Sequence, residues 1–484
     1  MRFDSAGILA RLEELRAADA PTHGGRVLSY VYDSGLAELD ELAAAAIRAV
    51  QPVNGLDPTT FTSVATLERE LVAFVRDLLH GDGEVVGSVT TGGTESCLLA
   101  VKTARDAWLA ARGLEPGAGR PRLVASVTVH AAFQKAAHYF GLELDLVPVG
   151  ADGRVVAADI EARLGDDVAL VVVSAPSYPF AALDPVEAIA ALGAGRGIPV
   201  HVDACIGGLV LPFWPGLPGW DFAVPGVTSI SADLHKFGYA PKGVSVLLQR
   251  GRDRQRGQFF ATTRWPGYPV VNPTILGSKS AGPLAAAWAI VQALGVDGFR
   301  ELAGSCRRST EALRAAIDGI EGLRVLGDPV GPLLAVAADE AVPQERRVDP
   351  HHWADAARGL GWVLQLQPGV AGMPPTTHLT ITPVTEAGLP ELVPALIAAA
   401  DAVRGIAHVD ARPLLAGLGA LPETLGSETA WALLQGFGIG GPSSSTAGTL
   451  PEQLAPLLAL IEVLPPPLAE RLLTELIARL AEPA

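Results

Sequence analysis

Cysteine is scarce in this sequence, which argues against two classes of protein. The 484 residues include three cysteines, Cys97, Cys205 and Cys306, which lie far apart and form no Cys-x-x-Cys pair. A disulfide framework or a cysteine-based zinc site would need a larger, regularly spaced set. We therefore assign no disulfide and no metal ligand, and we expect a reducing, cytoplasmic location.

Positive charge and long apolar runs are lacking as well. The net charge is −16 and no extended run of lysine or arginine occurs, so we expect no nucleic-acid partner. We find no uncharged apolar run of the roughly 20 residues that span a bilayer. The opening residues, MRFDSAGILARLEELR, lack the apolar core of a signal peptide. We expect a soluble protein without a membrane span.

Apolar residues, by contrast, are plentiful. Hydrophobic residues make up 49% of the chain and charged residues 18%, enough for a large interior. The length exceeds that of one simple core, so several domains are expected. We divide the chain into an N-terminal helical and extended segment (1–60), a large domain (61–290), a smaller α+β domain (291–405) and a helical appendage of unknown role (406–484).

Strand and helix patterns alternate through the large domain. Runs such as DVALVVVSAPS and IPVHVDA are continuously apolar, which is typical of strands buried in a parallel sheet. The alternation predicts a doubly wound α/β sheet that binds its ligand at the carboxyl ends of the strands. Polar side chains follow the predicted strands at these points: His130, Ser177, Tyr178 and Asp203.

Two residues in the stretch 202–242 suggest a particular chemistry. Asp203 ends an apolar strand, and Lys236 follows His235 in SADLHKFGYAPKG. A strand-end carboxylate and a nearby lysine are the two anchors of a pyridoxal phosphate enzyme: the amine forms a Schiff base, and the carboxylate keeps the pyridine nitrogen protonated. A structural aspartate and a surface lysine would give the same pattern, so the interpretation depends on what surrounds them.

The stretch VVGSVTTGGTES is a second signal. A β-rich run meets a Thr-Gly-Gly-Thr turn, and a helix follows at once. Paired glycines let the backbone approach an anion, and the N-terminus of a helix offers free N–H groups to a phosphate. The turn matches neither nucleotide-binding glycine motif. A plain strand-to-helix turn is an equally good interpretation of this stretch alone.

In combination, the motifs resemble the sphingosine-1-phosphate lyase-like branch of the pyridoxal phosphate-dependent group II decarboxylase superfamily. The matching segments are TGGTESCLLAVKTARD, VTVHAAFQKAA, SAPSYPFAALDP, HVDACIGG, SADLHKFGYAPKG and RWPGYPVVNPTILGSKSAG. The resemblance covers about residues 25–400. It implies the α/β fold of fold-type I enzymes: a large domain with a mostly parallel seven-stranded sheet flanked by helices, a smaller α+β domain and a helical C-terminal tail.

The resemblance also implies pyridoxal 5'-phosphate as the cofactor. Lys236 would carry the cofactor, Asp203 would pair with its ring nitrogen, and His130 and Cys205 would pack on opposite faces of the ring. The cofactor phosphate would be held by Gly93, Thr94, His235 and, from the neighbouring subunit of a homodimer, Gly277 and Ser278. The substrate pocket would include Tyr32, Tyr178, Asp57 and Lys242.

Two residues depart from the family pattern. Asp57 stands where these lyases usually carry a histidine, and a carboxylate there would repel a substrate phosphate. Lys279 stands where arginine is common, which loses the bidentate fork of a guanidinium. The membrane anchor of the eukaryotic lyases is also not seen in the sequence.

The function implied is that of a carbon–carbon lyase acting on an amine through a Schiff base with the cofactor. The expected reaction is retro-aldol cleavage of a phosphorylated long-chain base or a related β-hydroxy amine, with Tyr32 or Tyr178 moving protons. One alternative is a pyridoxal phosphate-dependent L-amino acid decarboxylase. Another is a cofactor-free binding relative, which the intact Lys236, Asp203 and His130 argue against.

Overall fold

The computed structural model describes residues 4–115, 117–413, 425–437, 439 and 453–483. The α-helices are Ser5–Arg16 (α1), Ala37–Ala49 (α2), Thr62–Leu78 (α3), Gly93–Ala110 (α4), Ala131–Phe140 (α5), Ala157–Glu161 (α6), Val186–Arg196 (α7), Arg252–Arg256 (α8), Gly282–Asp318 (α9), Pro350–Gly359 (α10), Thr385–Val403 (α11), Ser427–Gly436 (α12), Ala455–Val463 (α13) and Pro466–Leu480 (α14). The strands are Val85–Thr90 (β1), Arg122–Ser126 (β2), Glu143–Val147 (β3), Val168–Ser174 (β4), Val200–Asp203 (β5), Val227–Ala232 (β6), Ser245–Arg250 (β7), Phe260–Thr262 (β8), Val270–Asn272 (β9), Leu323–Val325 (β10), Leu333–Ala338 (β11), Gln365–Gln367 (β12) and Thr376–Thr380 (β13).

A seven-stranded sheet forms the centre of the large domain. Its strand order is β1-β7-β6-β5-β4-β2-β3. The run from β6 to β3 is parallel, whereas β7 is antiparallel to both of its neighbours. This arrangement confirms the predicted mostly parallel sheet.

Helices cover both faces of this sheet, as the continuous apolar runs predicted. Every residue of β4 is buried. Val171 and Val173 belong to a core that includes residues of α3, α7 and α9. Leu170 and Val172 belong to a second core with residues of α4 and α5. Alternate side chains of one strand therefore face opposite layers, and the strand ends remain open for a site.

A smaller antiparallel sheet, with strand order β10-β11-β13-β12, follows along the chain. It packs with α10 and α11 around Trp353, which is fully buried. Leu28 joins the same core, and Val27 pairs with Val363, so part of the N-terminal segment packs with this sheet. Helix α9 crosses the domain boundary predicted at residue 290 and is interrupted at Gly295, whose φ is 54°. The four-part division of the chain stays a prediction.

In the described part of the chain, α9 is the one helix long and apolar enough to cross a membrane by length and composition. Half of its most apolar window is buried inside the protein. Ala286, Ala287 and Ile290 of this helix pack in the main core, as the residues of a core helix do. The expected absence of a membrane span stays a prediction.

The helices α12, α13 and α14 form the predicted C-terminal helical tail. They share an apolar cluster that includes Leu434, Leu460 and Leu472. Asp355 of α10 ties the tail to the smaller sheet domain, since its carboxylate accepts hydrogen bonds from the backbone N–H groups of Leu454 and Ala455 at 3.0 and 2.9 Å. These two bonds satisfy free donors at the start of α13.

Candidate active site

A cavity of about 580 Å³ opens where β4 and β5 end and α4 begins. Its lining brings together eight of the residues predicted from the sequence: Gly93, Thr94, His130, Tyr178, Asp203, Cys205, His235 and Lys236. Carboxyl ends of neighbouring parallel strands meet at one edge of the sheet, which explains why residues distant in sequence meet here. Tyr32, Asp57, Lys242, Gly277 and Ser278 are not part of the lining.

Lys236 lies in the turn after β6, with Nζ 2.9 Å from Oδ2 of Asp233. Burial, the largest single influence, would lower the pKa of Lys236, but the charge of Asp233 together with smaller contributions from other neighbours raises that pKa well above its ordinary value. The sequence reasoning missed Asp233, although its position three residues before the lysine in Asp-Leu-His-Lys is a usable signal.

Asp203 ends β5 and is 8% exposed. Its Oδ1 accepts hydrogen bonds from the backbone N–H of Cys205 at 3.1 Å and from the Ser231 hydroxyl at 3.4 Å. Both bonds end on the same oxygen, so Oδ2 is left for a donor in the cavity. A protonated pyridine nitrogen is a donor of this kind, and a partly desolvated carboxylate pairs strongly with it.

The N-terminus of α4 forms a cradle for an anion. The helix begins at Gly93 and has no side-chain cap, so N–H groups of its first turn are free to bind a phosphate at the positive end of the helix dipole. A Cβ at Gly93 would lie 2.6 Å from Oδ2 of Asp233 and 2.9 Å from Sγ of Cys205. Only glycine fits this approach without displacing its neighbours.

Glu95, in the same first turn, is a second residue that the sequence reasoning missed. One carboxylate oxygen accepts hydrogen bonds from the backbone N–H and hydroxyl of Thr91 at 2.6 and 2.8 Å, and the other accepts from the N–H of Ile275 at 2.6 Å. Glu95 therefore ties the glycine turn to the loop 274–279, whose Ile275 and Leu276 line the cavity.

His130 and Cys205 line the cavity with different degrees of exposure. His130 is exposed and caps α5, with Nδ1 accepting the N–H of Ala132 at 3.2 Å, which orients its ring. Cys205 is buried, and a hydrogen bond with Cys97, together with burial, raises its pKa well above the ordinary value. Cys205 is thus a neutral packing group and not a nucleophile.

The wall beside Lys236 combines the large domain and the smaller sheet. The Tyr178 hydroxyl donates to Oε1 of Gln365 on β12 at 2.6 Å, and its ring stacks on His378 of β13 with centroids 4.3 Å apart. Burial raises the pKa of Tyr178 to about 12. This side chain therefore stays protonated at neutral pH.

Tyr32 and Lys242 form a pair next to the lysine loop. Nζ of Lys242 lies 4.5 Å from the ring centroid of Tyr32 and donates to the carbonyl oxygen of His235 at 3.0 Å. Burial raises the pKa of Tyr32 well above its ordinary value. Burial, aided by the charge of Lys236, lowers the pKa of Lys242 to about 8. Of these two groups, Lys242 is the one that can accept a proton near neutral pH.

The structure gives Asp57 a local role. Its carboxylate accepts hydrogen bonds from the backbone and hydroxyl groups of Thr59 and Thr60, at 2.6 to 3.2 Å. The hydrogen bonds from Thr59 and then Thr60 lower the pKa of Asp57 to about 2. Both carboxylate oxygens are thus engaged in the turn that precedes α3.

Gly277 and Ser278 lie beyond the part of their loop that lines the cavity. The Ser278 hydroxyl accepts a hydrogen bond from Nδ2 of Asn54 at 3.3 Å and is exposed. The contact of these two residues with a partner subunit stays a prediction.

Three independent features of the cavity fit pyridoxal phosphate. Lys236 offers an amine to the cofactor aldehyde, Asp203 an open carboxylate oxygen to the ring nitrogen, and the α4 N-terminus free N–H groups to the phosphate. Nδ1 of His235 donates to the carbonyl of Val244 at 2.8 Å, and its Nε2 lies 3.6 Å from Oδ2 of Asp233. No other part of the described chain assembles these three features.

Comparison with known proteins gives two family matches. A family model described as "Pyridoxal-dependent decarboxylase conserved domain" matches residues 39–334, more than half of the chain. A second, described as "Pyridoxal-dependent enzyme, C-terminal putative HTH domain", matches residues 410–479. The second match includes α12, α13 and α14.

Similar proteins include several sphingosine-1-phosphate lyases. The lyase of Oryza sativa is 34% identical over 387 residues, covering 78% of this chain and 69% of that protein. Sphingosine-1-phosphate lyase 1 of Rattus norvegicus is 36% identical over 343 residues, covering 70% of this chain and 59% of that one. The solved structure of a Burkholderia pseudomallei sphingosine-1-phosphate lyase has a TM-score of 0.77 and 31% identity, covering 87% of this chain and 96% of that chain.

The matched region contains the whole cavity, including the lysine, the strand-end aspartate and the glycine turn. These residues, their geometry and the extent of the matches lead to one assignment. The chain belongs to the pyridoxal-dependent decarboxylase family, resembles its sphingosine-1-phosphate lyases, and is a lyase that uses pyridoxal 5'-phosphate.

Proposed function

We propose that this enzyme cleaves the Cα–Cβ bond of a phosphorylated long-chain amino alcohol or a related β-hydroxy amine. The observation that carries the proposal is the identity of 31–36% to three sphingosine-1-phosphate lyases over 70–87% of this chain. The chain spans 59% of the rat lyase and 69% of the rice lyase, so their substrate comes to this chain as a proposal.

Bound pyridoxal phosphate supplies an electron sink for a bond to Cα. In our proposal, Lys236 carries the cofactor and, once the substrate amine has replaced it, returns a proton to Cα. Asp203 holds the proton on the ring nitrogen through its open Oδ2. His130 would cover one face of the ring, and Cys205 would pack against the other as a neutral thiol.

Cleavage of Cα–Cβ also needs a base that takes the proton of the β-hydroxyl, since the oxygen becomes the carbonyl of an aldehyde. The raised pKa values of Tyr32 and Tyr178 keep both phenols protonated at neutral pH, so neither is available as a base. Lys242, with a pKa of about 8, has a neutral fraction near physiological pH. We therefore propose Lys242 as the proton acceptor, and Tyr178, whose hydroxyl proton is donated to Gln365, as a fixed wall of the substrate pocket.

We further propose a homodimer with active sites close to the subunit interface. Large apolar side chains are exposed along the β8–β9 hairpin and the loop after it: Phe260, Trp265, Tyr268, Val271, Ile275 and Leu276. Two of them, Ile275 and Leu276, line the cavity. A partner that covers this apolar surface would also shield the site from water, and its Gly277 and Ser278 would complete the phosphate site.

A cytoplasmic location is part of the same proposal. The three cysteines are free and buried, as in proteins of reducing compartments. The tail segment 410–479 has seven acidic residues and three arginines. That balance does not favour contact with a phosphate backbone, so we propose a structural role for this segment.

Product analysis tests the lyase proposal. The purified holoenzyme is incubated with sphingosine-1-phosphate and, separately, with a panel of L-amino acids. We expect equal amounts of a long-chain aldehyde and a phosphorylated amine from the first substrate, and no product with Lys236→Ala. Release of CO₂ from an amino acid, with no aldehyde from the phosphorylated base, would show that the enzyme is a decarboxylase.

A further inference from the structure

A cluster of histidines and carboxylates lies where the C-terminal tail meets the smaller sheet domain. His351 belongs to α10, Glu462 to α13, and His408 to the segment that connects α11 with the tail. One potential ligand atom from each of these three side chains lies within 4.8 Å of the others. None of the three belongs to the cofactor cavity.

The buried histidine has an unused nitrogen. His351 is fully buried, and its Nε2 donates a hydrogen bond to the carbonyl oxygen of Gln367 at 2.8 Å. Its Nδ1 is buried and has no hydrogen-bond partner. Because Nε2 carries the proton, Nδ1 carries a lone pair, and a buried lone pair without a donor is costly.

The second histidine is oriented in a related way. Nδ1 of His408 lies 2.7 Å from Oδ2 of Asp349, and Nε2 lies 2.8 Å from Oε2 of Glu462. The ring centroids of His351 and His408 are 5.4 Å apart. A histidine that binds a metal through one nitrogen usually donates from the other to a carboxylate or a backbone carbonyl. Both histidines have such a partner.

From this arrangement we infer a zinc-type divalent metal site formed by Nδ1 of His351, Nε2 of His408 and Oε2 of Glu462. Two nitrogens and one carboxylate oxygen are a ligand set that zinc accepts, with water in a fourth position. Asp349 orients His408, and the carbonyl of Gln367 orients His351. The charges of Asp349 and Glu462 together balance a divalent cation.

The site has an entry path and a structural consequence. Asp349 and His408 line a cleft of about 240 Å³ that opens to the surface. Glu462 is on the tail, and its other oxygen accepts the backbone N–H of Gly369 at 2.9 Å. A bound metal would join α13 to α10, so it would fix the tail against the smaller sheet domain.

Metal analysis of the full-length, untagged holoenzyme tests the inference. The protein is stripped with a chelator, reloaded with pyridoxal phosphate, incubated with Zn²⁺ and desalted. We expect about one zinc per chain in the wild type and its loss in His408→Ala. Asp349→Asn should weaken zinc binding about 10- to 100-fold, because it removes the group that orients His408. The control is His138→Ala, an exposed histidine of α5.

Two further measurements guard against misfolding and against binding elsewhere. Glu462→Gln preserves the shape of its side chain and should still lose zinc while keeping the wild-type circular dichroism spectrum. X-ray absorption at the zinc edge should show nitrogen and oxygen ligands only. Sulfur ligands would place the metal at Cys97 and Cys205, where a second ligand cluster lies in the cofactor cavity. Sulfur ligation, full zinc content in His408→Ala, or a wild type that retains no zinc would each overturn the inference.

Discussion

At the scale of single residues, burial and charge around Lys236 decide which groups can exchange protons. Asp233 holds the lysine as a cation, while burial keeps the phenols of Tyr32 and Tyr178 protonated. The pKa of Lys242, by contrast, is lowered, which favours its neutral amine. This division of roles leads to two predictions.

Lys242→Arg places a permanent cation where we propose a base. In the wild type, Lys242 must lose its proton to act, so kcat should rise as pH increases through about 8. The variant should lose about 100-fold or more in kcat, with that rising limb absent. The measurement is kcat against pH for both proteins, with Lys102→Arg, a lysine of α4 paired with Asp106, as the control. An unchanged pH profile in the variant would remove Lys242 from this role.

Asp233→Asn removes the charge that keeps Lys236 protonated. Burial then dominates, so the pKa of Lys236 falls and the neutral amine that attacks the cofactor aldehyde is present at lower pH. The rate at which the stripped enzyme takes up pyridoxal phosphate should reach half its maximum at lower pH than in the wild type. Asp221→Asn, a buried aspartate paired with His80, is the matched control. Equal profiles for Asp233→Asn and the wild type would contradict the prediction.

Several site residues could be predicted from the sequence because their local pattern carries the signal. Asp203 follows an apolar strand, Lys236 follows a histidine, and Gly93 lies in a glycine turn before a helix. Glu95 could not be found this way, since its partner Ile275 is distant in the chain. Gln365 was missed for the same reason: its bond to Tyr178 exists only because β12 packs against the large domain.

At the scale of elements, the start of α4 is sensitive to substitution at Gly93. A methyl group at Gly93 would enter the space between Asp233 and Cys205, at 2.6 and 2.9 Å from their side-chain atoms. Relief of such contacts typically requires shifts that cost about 1–3 kcal/mol, here at the point where the cofactor phosphate would bind.

Gly93→Ala should therefore weaken binding of pyridoxal phosphate about tenfold or more. The measurement is the Kd of the cofactor, obtained by titrating the stripped protein. Gly83→Ala is the control, because a Cβ there has no neighbour within 4 Å. Equal affinities in the two variants would mean that the α4 N-terminus does not approach the cofactor closely.

The elements that the sequence predicts well are those with continuous apolar runs. The strands of the large sheet are of this kind, because burial on both faces leaves no polar alternation to interpret. The β8–β9 hairpin carries no such signal, because its strands are three residues each and largely exposed, so they lack an apolar run. Helix α1 has apolar residues at helical spacing, which favours a buried face, yet Ile8, Leu9 and Leu12 are exposed.

At the scale of the whole molecule, the proposed homodimer depends on the exposed apolar side chains of the β8–β9 hairpin and the loop after it. Val271 lies on the hairpin next to the loop that lines the cavity and is 58% exposed. A charge there would be buried without a partner in a dimer interface, which is strongly unfavourable.

Val271→Asp should shift the protein from dimer to monomer and reduce its activity in parallel. Light scattering coupled to size-exclusion chromatography gives the mass of each species, and activity is assayed on the same fractions. Val156→Asp, at a similarly exposed position just before α6, should remain dimeric and active. A wild type that is monomeric and fully active would contradict the proposed shared site.

The assignment of the cofactor lysine can be tested most directly by reducing the holoenzyme with borohydride and mapping its peptides by mass. Reduction fixes the cofactor to the lysine that carries it. The chain has five lysines, Lys102, Lys135, Lys236, Lys242 and Lys279, so the assignment is unambiguous. We predict that the cofactor is found on Lys236 alone and that Lys236→Ala carries none. Attachment to Lys135, which also lines the cavity, or to Lys242 in place of Lys236 would contradict the site described above.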